Sequence, residues 1–105
     1  MRGDVHVVNA PRGAKGHEQR GRRYGVVVQS DLLPLSTWLV APTSSSARIA
    51  SFRPEVVVEG RSTLVLVEQT TAVDPERLGP VVGHLSHAEL LDIDDALRVV
   101  LGLPR

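Results

Sequence analysis

The chain has 105 residues, 42% apolar, with a formal net charge of zero and no cysteine. That length suits a single domain with a packed core. It leaves no disulfide and no thiolate metal site. No apolar run reaches transmembrane length, and the N-terminus lacks a signal-peptide pattern, so a cytoplasmic protein with no membrane contact is expected. Zero net charge conceals an uneven distribution. Residues 1–53 hold eight Lys/Arg against three Asp/Glu, and residues 54–105 hold four against nine. A basic first half of this kind attracts phosphate if its charges share a face.

In chain order the elements are mostly strands. Val5, Val7 and Val8 predict a first strand, and Asn9 to Arg22, with three Gly and one Pro, reads as a long loop. Uninterrupted loops of that length are uncommon and often functional. Tyr24–Gln29 reads as a second strand, with Val26-Val27-Val28 buried on both faces. Ser36–Ala41 reads as a third, followed by a polar loop over Thr43–Ser51. Glu55–Val58 and Ser62–Glu68 flank Glu59-Gly60-Arg61, a hairpin signal. Pro80–Leu85 adds a short strand after the Asp74-Pro75-Glu76 turn. With only one Trp, one Tyr and one Phe, Val and Leu must fill the core.

The last element is a helix. Ser86 and Glu89 form a capping box, and Leu90, Ile93, Leu97, Val100 and Leu101 recur at helical spacing. Gly102 and Pro104 stop it. Asp92, Asp94 and Asp95 fall on the opposite side or in the early turns. Pattern alone therefore predicts a small, mainly β (α+β) barrel closed by a C-terminal helix.

The chemistry is concentrated in Gly16–Gln29, GHEQRGRRYGVVVQ, where a Gly-punctuated basic loop enters a buried strand. His17, Glu18, Gln19, Arg20, Arg22 and Arg23 bring together a proton-transfer group, a carboxylate and fixed positive charge. That mixture suits phosphodiester binding and cleavage; it also suits a solvated loop. The four His, at 6, 17, 84 and 87, lack zinc spacing, and no Walker or Rossmann glycine pattern is present. Ser44-Ser45-Ser46 has no assignable His/Asp partner for a nucleophile.

The order of short motifs carries more information. Arg2-Gly3-Asp4-Val5 comes first, then GHEQ with a basic doublet before a strand, Ala41-Pro42-Thr43-Ser44, Val67-Glu68-Gln69, and Val82-Gly83-His84-Leu85-Ser86 before the helix. Over nearly the whole chain this resembles the MazF/PemK (Kid) toxins of bacterial type II toxin–antitoxin systems. The resemblance implies an SH3-like β-barrel, usually a homodimer. It also implies a sequence-selective, metal-independent endoribonuclease that cuts single-stranded RNA and needs no cofactor. Attack by the ribose 2′-OH would leave a 2′,3′-cyclic phosphate and a 5′-hydroxyl, and a small antitoxin with an acidic, disordered tail would inhibit it.

Carried onto this sequence, the catalytic positions are Arg23, Thr43 and Glu18. Arg23 would stabilise transition-state charge; Thr43 would bond the scissile phosphate or the 2′-OH, or simply shape a turn. Glu18 would act as base, orient Arg22 or Arg23, or form a loop salt bridge. His17 would be an acid, base or substrate contact. Gln19, Arg20, Arg22, Ser44, Arg48, Arg53, Glu68 and Gln69 complete the expected RNA surface. The sequence departs from the family pattern at Tyr24-Gly25, where Pro usually follows the Arg, at His6 in place of an aromatic, and at Leu66 in place of an Arg found in some members. An alternative within the same barrel superfamily is a CcdB-like toxin that binds DNA gyrase and cleaves nothing.

Overall fold

A computed structural model describes residues 1–8 and 23–104. Seven strands are present among them: β1 (Asp4–Val8), β2 (Arg23–Val27), β3 (Trp38–Ser44), β4 (Glu55–Val58), β5 (Arg61–Val65), β6 (Thr71–Val73) and β7 (Leu78–His84). One helix, α1 (His87–Leu101), ends the chain. The sheet order is β4-β5-β3-β2-β1-β7, antiparallel throughout, with β6 paired to β3.

β3 holds the sheet together because both its edges are used. One edge pairs along β2, with Val26 opposite Ala41; the other pairs with β6 through Trp38–Val40 and with β5 through Thr43 and Ser44. The sheet can therefore curl at β3, where its second neighbour changes. α1 spans the remaining gap. It follows β7 at one sheet edge, and Glu89 Oε2 accepts the backbone N–H of Val57 on β4, the other edge, at 2.9 Å. An edge N–H that would otherwise seek a foreign strand is thus satisfied internally.

Seven valines (Val5, Val26, Val28, Val56, Val58, Val65, Val67) dominate the core, with Ala41, Leu85, Ile93 and Ala96. β-branched side chains pack well on a pleated, half-buried surface, so a Val-rich sheet needs few aromatics. The leucines were expected to share this role. Seven of the thirteen do not: Leu32, Leu33, Leu35, Leu39, Leu91, Leu101 and Leu103 are exposed. Val26, Val27 and Val28 are buried on both faces as expected.

Ser86 caps α1 by accepting from the Glu89 N–H, and Glu89 returns the bond to the Ser86 N–H. Leu90, Ile93, Leu97 and Val100 face the core, whereas Leu101 points outward at the last turn. Asp94 is half-buried and paired: Arg2 Nη2 donates to its Oδ1 at 2.5 Å, while Arg2 Nε donates to the Val28 carbonyl. The N-terminus is thereby fastened to the helix.

Several strand limits differ from the sequence expectation, and one strand is new. β3 runs two residues past Pro42, so Thr43 and Ser44 are strand residues; Pro42 keeps a ladder position because a proline still offers its carbonyl, here to the Leu66 N–H at 2.8 Å. β5 stops at Val65, and Val67–Gln69 form a 3-10 turn that carries Glu68. β6 was not expected at all, being only three residues long and polar at its start.

Candidate active site

β2 and β3 deliver the central residues. Their register pairs Val27 with Val40, Val26 with Ala41 and Gly25 with Pro42, and just beyond it the Thr43 hydroxyl reaches the Tyr24 carbonyl. Gly25 makes this crossing close: a Cβ there would lie 2.6 Å from Val40 Cγ1 and 3.0 Å from Val8 Cγ2. Gly25 therefore has a packing reason in this chain.

Alternation along the strands separates the three side chains. Tyr24 and Thr43 turn inward with Val26 and Ala41, and Arg23 and Ser44 turn outward. Thr43 is buried, and its hydroxyl donates to the Tyr24 carbonyl over 3.4 Å, a long bond. Ser44 Oγ accepts from the Ser46 N–H at 3.3 Å. Arg23 is exposed and, among the described residues, ion-pairs with no carboxylate. What unites Arg23, Thr43 and Ser44 is the open end of the two strands, where both faces meet solvent.

A second group stands across β3. Arg53 Nε and Nη2 both donate to Glu68 Oε2, at 2.9 and 2.6 Å, and Arg53 Nη1 donates to the Arg48 carbonyl. The guanidinium also lies 5.5 Å from the Phe52 ring centre. These hydrogen bonds from Arg53 hold the Glu68 carboxyl below its ordinary range, against a smaller opposing effect of burial. Glu68 is therefore a poor proton acceptor and a good fixed acceptor of hydrogen bonds. Its Oε1 is buried and has no partner among the described residues. Gln69 is exposed at the end of the same turn, and the turn is tied to β3 by the Leu66–Pro42 bond. The side chain of Arg48 is exposed and forms no ion pair among the described residues.

The expected site residues thus divide. Arg23, Thr43 and Ser44 lie at the ends of the paired strands β2 and β3, with Thr43 on the opposite face from the other two, and Arg53 joins Glu68 to the Arg48 backbone, with Gln69 beside Glu68. Arg53, expected to meet RNA, is occupied by Glu68. His17, Glu18, Gln19, Arg20 and Arg22 lie outside the described residues. His6 takes a structural place: it is buried, Nδ1 donates to the Gly79 carbonyl at 2.9 Å, and its ring tilts against Trp38. His84 lies in β7 and bonds Asp4 at 2.9 Å, away from any His87 pairing. Among the described residues no group of three or more His, Cys, Asp or Glu is placed to hold a metal. None of their helices is long and apolar enough to cross a membrane.

Comparison with known proteins decides the family. Residues 1–101 match the model of the PemK-like, MazF-like toxins of type II toxin–antitoxin systems. The chain belongs to this family. It is 39% identical over 104 residues to a candidate toxin of Mycobacterium tuberculosis, Rv3098A, covering 98% of each chain. It is 29% identical to the endoribonuclease MazF of Staphylococcus epidermidis, over 97% of this chain and 91% of that one. A solved endoribonuclease in complex with its cognate antitoxin, from a mycobacterial species, shares the fold with a TM-score of 0.81 at 17% identity, over 100% of this chain and 97% of that one. The M. tuberculosis toxin MazF-mt6 does so with a TM-score of 0.78 at 15% identity, over 97% of this chain and 99% of that one.

Proposed function

We propose that this MazF/PemK-family chain is a metal-independent, sequence-selective endoribonuclease toxin acting on single-stranded RNA in the cytoplasm. The observation that carries the reading is Arg23: a permanently charged, exposed guanidinium at the start of β2, the strand paired with the one whose end carries Thr43 and Ser44. RNA supplies its own nucleophile, so the protein's task is to hold a phosphate and stabilise charge.

The ribose 2′-oxygen attacks the adjacent phosphorus, and its proton passes to a base. Negative charge gathers on the non-bridging oxygens, where Arg23 offers a forked pair of donors. Ser44, on the Arg23 side of the sheet, offers a hydroxyl to the phosphate, and Thr43, bonded to the Tyr24 carbonyl, ties the two strand ends that carry them. The P–O5′ bond breaks, the departing oxygen takes a proton, and a 2′,3′-cyclic phosphate and a 5′-hydroxyl result. Glu18 and His17 are the base and acid candidates. Glu68, already ionised, fixed by Arg53 and buried at Oε1, suits holding the Arg53 guanidinium better than proton abstraction.

An antitoxin with an acidic, disordered segment would cover the same cationic strand end and compete with RNA. A homodimer would cover part of the exposed leucine surface. The gyrase-binding alternative is less well supported, since the S. epidermidis relative is named an endoribonuclease.

The test is incubation of purified protein with mixed RNA in EDTA, read on a gel. Discrete fragments carrying 5′-hydroxyl ends support the reading; intact RNA refutes it.

A further inference from the structure

The inward side of the same strand ends opens into a cleft of about 410 Å³, lined by Tyr24, Ser45, Val58, Glu59, Arg61 and Thr63. It begins where the candidate active site stops. Tyr24 follows Arg23 and takes the Thr43 hydroxyl bond, and Ser45 follows Ser44 and bonds Thr63 at 3.4 Å. Its size falls in the range of roughly 300–1,000 Å³ typical of small-molecule sites.

The lining is that of a nucleotide site. Arg61 is exposed at the start of β5 and, among the described residues, forms no ion pair. Ser45 and Thr63 offer hydroxyls, and Tyr24 is the one aromatic among the described lining residues. Glu59 is the unexpected member. It occupies the β4–β5 turn at φ 50°, followed by Gly60 at φ 77°. Hairpin turns with two positive φ angles favour Asn-Gly or Gly-Gly; a glutamate there is disfavoured by its Cβ. The chain keeps a strained carboxylate at the cleft rim where a simpler residue would make a better turn. A carboxylate repels phosphate, so its use lies with N–H donors. Glu59 has a partner in this structure, and a carboxylate with about four acceptor sites can take more than one donor.

We infer that this cleft holds the nucleotide flanking the scissile phosphate. Arg61 binds that nucleotide's outer phosphate, Tyr24 packs against the base, and Glu59 accepts from an exocyclic amino group. Adenine, cytosine and guanine carry such a group and uracil does not, so the cleft selects against uracil at one position beside the cut. The word "scissile" rests on the ribonuclease reading; the binding preference does not.

The test uses the full-length protein with two readouts. The first is affinity for single-stranded 2′-O-methyl oligonucleotides, which lack the attacking hydroxyl, varied one base at a time. The second is the sequence profile around newly formed 5′-hydroxyl ends in a mixed RNA. Wild type should disfavour uracil about tenfold at one flanking position. Glu59→Gly, which suits the turn, should fold with no loss of Tm and lose that discrimination. Arg61→Ala should weaken binding to all sequences and lower the salt dependence by about one phosphate contact. An unchanged profile in Glu59→Gly, with an unchanged salt slope in Arg61→Ala, overturns the inference while leaving cleavage intact. A Glu59-dependent binding preference in a protein that cuts nothing would sustain the cleft and remove the ribonuclease reading. Failure to bind any oligonucleotide defeats both. Displacement of an acidic peptide by Arg61→Ala without any effect on RNA would assign the cleft to a protein partner and also overturn it.

Discussion

The two ends of the barrel use charge in opposite ways. At the helix end the charges are paired: Arg2 with Asp94, Asp4 with both the N-terminal amine and His84, and Glu89 with the Ser86 and Val57 N–H groups. At the strand-opening end, Arg23, Arg48 and Arg61 ion-pair with no carboxylate among the described residues. An arginine with its fork filled is a structural tie. One left open, beside hydroxyls and next to a cleft, is placed for an anion. The difference teaches that cation counts along the chain are a poor guide to function until the pairs are removed.

The comparison breaks most visibly in activity. Arg23→Ala should lower RNA cleavage by about 10²–10³ with an unchanged Tm, because one preorganised charge contact is lost from the transition state. Arg23→Lys should rescue poorly, since a point charge lacks the guanidinium fork. Arg2→Ala should do the reverse: wild-type kcat, with a stability loss of about 1–2 kcal/mol, read by urea denaturation. If Arg2→Ala lowers kcat while Arg23→Ala lowers Tm, the division between the two ends is wrong.

Gly25→Ala probes the strand crossing under the site. Its Cβ meets Val40 at 2.6 Å, so overpacking of about 1–3 kcal/mol is expected, with a proportionate fall in Tm. A neutral effect would mean that β2 and β3 have slack where the site requires them fixed.

Glu89→Gln is a smaller perturbation of the paired end. It weakens the helix cap and the β4 edge together, at about 1 kcal/mol. Faster amide exchange at Val57 would localise the loss.

Acid should act through the paired carboxylates. Hydrogen bonds from Arg53 lower the Glu68 pKa below its ordinary value of 4.5; for Glu89 burial raises it, but bonds from the Ser86 and Val57 N–H groups outweigh that. A carboxyl depressed in the folded state contributes stability above its unfolded pKa and loses it as pH falls through the folded one. Urea midpoints should therefore be flat from pH 7 to about 5 and fall below about 4.5. Glu68→Gln should soften that fall. A midpoint declining already at pH 6 would point to other groups.

Much of this was legible in the sequence. Helix spacing, the Ser86–Glu89 capping box and the Val26–Val28 run are local signals that tertiary packing did not override. Long-range pairing was not legible: β6 exists because β3 offers it an edge, and nothing in Thr71–Val73 says so. The strand ends were missed for a related reason, since Pro42 reads as a strand breaker until its carbonyl finds Leu66. For the proposed site, the motif order singled out Arg23, Thr43 and Ser44, which the fold puts at the ends of two paired strands. It could not show that Arg53 is taken by Glu68, because that pair spans fifteen residues and a turn. Arg61 and Glu59 gave only a hairpin signal; their place beside Tyr24 appears once the register is known.

The central claim is that the RNA contributes the nucleophile and the open strand end contributes the charge. The direct test is a single 2′-deoxy substitution at a mapped cleavage position, assayed with wild-type protein in EDTA. The account predicts that the deoxy oligonucleotide binds as well as its parent and is not cut there. Cleavage of the deoxy position at a comparable rate would mean that another nucleophile attacks the phosphorus, and would contradict the mechanism built on Arg23.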